Sequence, residues 1–211
     1  MSVKSSDMTN PLLPCNFQGQ AECEGCAVAG HLMCHYDLRD SVNFFMLILP
    51  VMVAMIIGVL RAGYGWHLLP WVAYWLLFFF GWEARVLCSH CPMWAEESRV
   101  LRCHANYGVI KFWKYRPGPM SKAEQWQFII GALIGIGYPL VLAVLGGEYL
   151  WGMMGLITTM SAAYNLRKIS CRRCINFSCP LNTVPKAEKD AYLRRNPAIR
   201  AAWEAAGYQI D

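Results

Sequence analysis

Charge is scarce in this sequence, and the places where it is missing decide the fold class. Charged residues make up 16% of the 211 residues, where a soluble domain usually carries about a quarter. Four apolar runs, 42–60, 66–82, 126–145 and 149–166, hold almost none of them. No Asp, Glu, Lys or Arg stands in the middle of any run, which disfavours a pump or ion carrier. A secretory leader is not expected either, because the first forty residues carry Cys, Pro, Gly and acids rather than a basic start and an apolar run. Only His67 lies near a span, so a bis-histidine haem has no second ligand. Covalent haem lacks its Cys-x-x-Cys-His signature, since Val100 stands where the first cysteine before Cys103-His104 would be. The four closely spaced cysteines of a bacterial ferredoxin run and the βαβ unit of a thioredoxin-like dithiol are missing too.

What is present points to the bilayer. The first run, VNFFMLILPVMVAMIIGVL, reaches about 28 Å as a helix, close to the hydrocarbon thickness of about 30 Å. The links after the first and third runs are very short, so the four runs read as two tight helical hairpins. Three long segments remain: 1–41, the loop 83–125, and the tail 167–211. With four spans, all three emerge on one side. Of 19 Lys and Arg, only Arg61 falls in a short link; the loop has seven and the tail nine. The positive-inside rule therefore puts the long segments and both termini in the cytosol.

All ten cysteines fall in those three segments and none in a span. Each segment carries one Cys-x-x-Cys pair with further cysteine nearby: Cys15, Cys23, Cys26 and Cys34; then Cys88, Cys91 and Cys103; then Cys171, Cys174 and Cys179. In a reducing compartment such pairs are metal ligands or redox thiols sooner than disulfides, because each turn presents two thiolates to one centre. His35 and His104 are candidate additional ligands; His31 and His90 also lie near cysteines in sequence. Cys91-Pro92 and Cys179-Pro180 share the Pro that follows the last cysteine of ferredoxin-type runs, which favours iron–sulfur clusters, with zinc as the alternative. Ten thiols suffice for two four-thiolate centres, most simply one from the N-terminal segment and one from the loop and tail. Arg172 and Arg173, between the tail pair, would offset thiolate charge or anchor the span end.

The expected fold is thus an all-α integral membrane protein. It has four transmembrane helices in two hairpins and a loop-rich, metal-bound cytosolic cap. The expected function is passing electrons between a soluble cytosolic partner and a membrane acceptor. A zinc-stabilised docking scaffold is the alternative, and thiol-based metal delivery a third. Either of the first two describes a redox subunit or scaffold rather than a complete enzyme. The expected partners are the bilayer and a soluble protein or complex, with no nucleic acid. Gly131 and Gly135, four apart in the third run, predict close helix packing and offer a seam for oligomers. Ser121 and Glu124 predict a capping box, and Trp113 to Arg116 a headgroup-level belt. Two short helices are expected after Pro185 and Pro197, with Ile199, Trp203 and Tyr208 on the membrane surface or against another subunit.

Overall fold

The computed structural model describes residues 13–17, 23 and 25–211. It is all-helical: among the described residues the only β pairing is an isolated bridge between Val100 and Ile110. The long helices are α1 (Leu38–Arg61), α2 (Leu68–Leu77), α4 (Lys122–Leu145) and α5 (Tyr149–Ile169). Between α2 and α4 lies the short helix α3 (Ala84–Val86), and the tail adds α6 (Lys186–Arg195) and α7 (Pro197–Ala205).

Three helical stretches are long and apolar enough to cross a membrane: Leu38–Arg61, Gly65–His90 and Lys122–Leu145. Their flanks expose large apolar side chains such as Phe45, Trp66, Leu69, Leu133 and Leu145, which in water would be a liability and in lipid is the ordinary state. The fourth run also folds as one 21-residue helix, α5, but its second half is more polar. Thr158 and Thr159 donate their hydroxyls to the carbonyls of Met154 and Gly155, and Asn165 donates to Ser161. Those polar groups are thereby satisfied within their own helix.

The two hairpins are closed by turns that only glycine enters readily. Gly63 and Gly147 both sit at positive φ, 79° and 75°. At this end Arg61 bonds Glu148 at 3.1 Å, which ties one hairpin turn to the other. α1 packs on α4 and α5, and α2 on α4. The α2–α4 contact explains the glycines of α4. A Cβ at Gly131 would stand 2.3 Å from the Phe78 ring, and one at Gly135 would stand 2.5 Å from the Trp75 ring. Tyr74 donates to the Gly131 carbonyl at 2.6 Å, and Trp71 donates at 2.7 Å to the Gly135 carbonyl, which Pro139 leaves without a helical donor. The expected seam at these two glycines is therefore filled from within the chain rather than by a second copy. Gly135→Val should force the α2 aromatics aside and cost about 1–3 kcal/mol, seen as a lower melting temperature in detergent. An unchanged melt would refute this packing.

α4 opens with the expected capping box. Ser121 Oγ accepts from the Glu124 amide at 3.2 Å, and Glu124 accepts from the Ser121 amide at 2.9 Å. The second span departs from a plain helix. Its α-helical part runs into a π-helical segment, Phe78–Glu83, then α3 and a 3-10 turn, Cys88–His90. Such wide turns are frequent at functional sites. Here the turn leads into Ala84, Cys88 and Cys91, all within the core of the cap.

That cap draws its core from all three long segments. Val28 and Leu32 come from the first, Trp94, Leu101 and Val109 from the second, and Ile175, Tyr192, Leu193 and Trp203 from the third. Ile199 and Trp203 are buried at 3% and 7% exposure, so they face the cap core rather than a membrane surface or another subunit. The reason is that the hydrophobic face of so short a helix finds its partner in the same chain, against Phe177 and Tyr208. Pro197 is the first residue of α7 as expected, whereas Pro185 caps α6 from outside. Trp113 is half-exposed beside the Arg85 guanidinium, 5.4 Å from its ring centre, while Tyr115 packs against the cap core instead of standing in a belt.

Candidate metal centres

The thiols gather in two places. Cys15, Cys23, Cys26 and Cys34 line one cavity of about 450 Å³, together with His35, Arg173 and Arg195. A 3-10 turn, Cys15–Phe17, and a series of turns through 27–32 carry them. The Cys26 amide donates to the Cys23 carbonyl, the tight turn a Cys-x-x-Cys pair requires. His35 Nε2 stands 3.7 Å from Cys23 Sγ. Cys15 is held from two sides by the Asn196 side chain: its backbone amide donates to Asn196 Oδ1 at 2.7 Å, and Asn196 Nδ2 donates to its sulfur at 3.3 Å. Burial raises the Cys15 thiol above its ordinary range, with the Asn196 bond and the Arg195 charge working against that rise. Cys34, half-buried and beside three other thiols, is pushed up to about 12 by partial burial and its thiol neighbours.

The second group draws on the loop and the tail. Cys88 and Cys91 are buried at 6% and 5% exposure. Cys91 lies within the field of Cys103 and Cys179, and Cys174 within that of Cys91, Cys103 and Cys179. Burial raises Cys91 and raises Cys174 well above the usual thiol range, and pushes Cys179 up to about 12. Cys171 is at the margin, near Arg167 and felt by Cys179. Cys103 runs the other way. Burial opposes its thiolate, but His104, 3.9 Å away, and the amides of Ala105 and Asn106 outweigh that and hold it below the usual range.

Two polar residues at this group carry no cysteine-like signal in the sequence. Glu83, 7% exposed at the end of the π-helical segment, has Asn106 as its hydrogen-bond partner at 3.0 Å. The same Asn106 nitrogen donates to Cys88 Sγ at 3.5 Å. Among the described residues no basic side chain pairs with Glu83. A buried acid beside thiols is costly unless a cation or a proton offsets it. The hint was the position of Glu83, the first acid after an apolar run and five residues before Cys88.

The other histidines turn elsewhere. His90 bonds the Gly118 carbonyl at 2.6 Å and faces Glu124 at 3.6 Å, which fastens the loop to the start of α4. His31 is exposed near Glu188. His67 bonds the Tyr138 hydroxyl at 2.6 Å beside Tyr64. Arg172 approaches Glu188, and Arg173 reaches the Gly30 carbonyl at the wall of the first cavity.

Among the described residues, no three His, Cys, Asp or Glu side chains close on a single point as ligands of one ion would. Tetrahedral zinc with bonds of about 2.3 Å needs thiolates about 3.8 Å apart. No known protein family matches the chain, and no curated protein or solved structure is significantly similar to it.

Proposed function

We propose that this chain is a membrane-anchored iron–sulfur protein that passes electrons between a soluble cytosolic partner and an acceptor in the bilayer. The observation that carries the reading is the partition of the ten cysteines. Four line one cavity, five meet in a second group, and Cys171 stands at the edge of the latter. Four thiolates are the ligand set of one iron–sulfur cluster, and each group offers at least that many. Buried thiols that are poor anions alone are stabilised as thiolates once metal supplies the charge.

In this reading α5 is a fourth span, which places 1–41, 83–125 and 167–211 together on the Lys- and Arg-rich, cytosolic side. An apolar cavity of about 390 Å³ among the membrane helices, lined by Met55, Trp71, Trp75, Phe79, Ile136 and Leu181, suits an apolar acceptor dissolved in the bilayer. Leu181 is two residues from Cys179, so the cavity lies next to the second group. Zinc is favoured only by the imidazoles beside Cys23 and Cys103, which would complete thiolate–imidazole shells.

The test is metal and sulfide analysis with a visible spectrum, on full-length protein purified anaerobically in detergent. Iron with acid-labile sulfide and broad visible absorption is the expected result. Colourless protein holding zinc alone would replace this reading with the scaffold, and protein holding no metal would leave the cysteines to thiol chemistry.

A further inference from the structure

The two thiol groups are joined by two short bridges through the interior of the cap. In the first, the Met33 amide donates to the Arg173 carbonyl at 2.7 Å. Met33 precedes Cys34 and Arg173 precedes Cys174, so one backbone step of about 3.8 Å on each side completes the route between the groups. In the second, Asn16 Nδ2 donates to Met93 Sδ at 3.6 Å. Asn16 follows Cys15, and Met93 lies two residues after Cys91.

Both ends of the second bridge are buried, Asn16 at 3% and Met93 at 8% exposure. A thioether is a weak acceptor, a poor return for burying an amide. Stability alone therefore gives little reason for this pair. Tyr192, wholly buried, closes over it and donates its hydroxyl to Asn16 Oδ1 at 3.0 Å. Its phenol lies within the fields of Cys15 and Cys34 on one side and Cys91 on the other.

The groups also differ in what they face. The first opens on a cavity at the cap surface. The second has its pair Cys88 and Cys91 buried, and its Cys179 packs against the cluster of Phe78, Val86, Leu87, Met120 and Phe128 at the cap end of the membrane helices.

We infer that the two centres work in series, the N-terminal one receiving the electron and the second one passing it toward the membrane, with the Met33–Arg173 and Asn16–Met93 bridges as the link. This rests on the iron–sulfur reading. In the step itself one electron leaves the reduced N-terminal cluster, which is oxidised by one, and enters the second, which is reduced by one. No bond is made or broken and no proton is required.

The experiment is electron paramagnetic resonance on the full chain in detergent, reduced with dithionite. Three proteins are compared: wild type, Cys23→Ser/Cys26→Ser, and Cys174→Ser. Wild type should show spin–spin splitting or broadening absent from either variant, each of which should keep about half the iron and give the signal of one isolated centre. A wild-type spectrum equal to the sum of the two variant spectra would place the centres too far apart for the bridges to matter and overturn the inference. Iron confined to one group would also overturn it, while leaving the iron–sulfur reading standing. Protein without iron would remove both.

Discussion

Tyr192→Ala should unfold the cap while the long helices stay formed. The side chain is fully buried and touches Phe177 edge to face, with ring centres 5.3 Å apart. Deleting a buried aromatic side chain costs about 3–5 kcal/mol, because the cavity it leaves collapses only partly. That is a large share of the net stability of a small domain, about 5–15 kcal/mol. Tyr192 also sits where all three cap segments meet. It belongs to α6, bonds Asn16 of the first segment, and shares a core with Trp94 and Leu101 of the second. Tyr192→Phe separates the two contributions. It keeps the ring, loses the hydroxyl, and leaves Asn16 Oδ1 unpaired at a cost of about 1–3 kcal/mol. Hydrogen exchange on the full chain in detergent reads the outcome by segment. Equal protection of residues 84–121 in wild type and the alanine variant would show that the cap does not depend on this side chain.

If the iron–sulfur reading holds, stripping the metal should produce a second large effect, confined to the thiol-bearing stretches of the cap. Structural zinc contributes about 10–16 kcal/mol to small metal-bound domains, so removal of a bound centre can exceed what the remaining packing supplies. The stretch 88–110 and the stretch 170–184 contain turns, 3-10 segments and one isolated bridge, with no α-helix. In that reading their order would rest in part on the thiols they bring together. Helices α6 and α7 pack on one another through Tyr192, Leu193, Ile199 and Trp203 and should keep more protection. α1, α2 and α4, which belong to the stretches apolar enough to cross a membrane, should not change. The expected pattern after treatment with a strong chelator is fast exchange in the two thiol-bearing stretches with slow exchange in the long helices. Identical protection with and without metal would mean that the apolar core holds the cap by itself.

Much of the membrane part was legible in the sequence, because lipid reads length and charge and little else. The run 42–60 lies inside α1, and 126–145 inside α4, whose start the Ser121–Glu124 box marks. Residues 149–166 fall within α5, although that helix is less apolar than the three that meet the criterion for crossing. The π-helical segment was not legible. FFFGWE has no local signature that separates a π turn from an α turn, and packing against Phe128 and the cap selects it. The glycines of α4 announced a close approach without naming the partner; Trp75 and Phe78 became visible as that partner only in three dimensions.

In the cap, spacing alone picked out the three Cys-x-x-Cys pairs, because a turn of that length brings two sulfurs to one side whatever surrounds it. Spacing could not show that His90 would turn to Gly118 and Glu124, or that Asn106 would bridge Glu83 and Cys88. It also missed Asn196, which holds Cys15 from a position 181 residues away in the chain.

The sequence by itself determined that this chain has helices apolar enough for a bilayer and that its thiols, Cys88 in the stretch Gly65–His90 excepted, lie outside them, since both follow from hydropathy and local order along the chain. Only the tertiary structure decided which thiols share a space, which residues join the two groups, and that Ile199 and Trp203 turn inward. Those outcomes depend on tertiary contacts, some between residues as far apart in the chain as Cys15 and Asn196, and no local preference specifies such contacts until the core that makes them has packed.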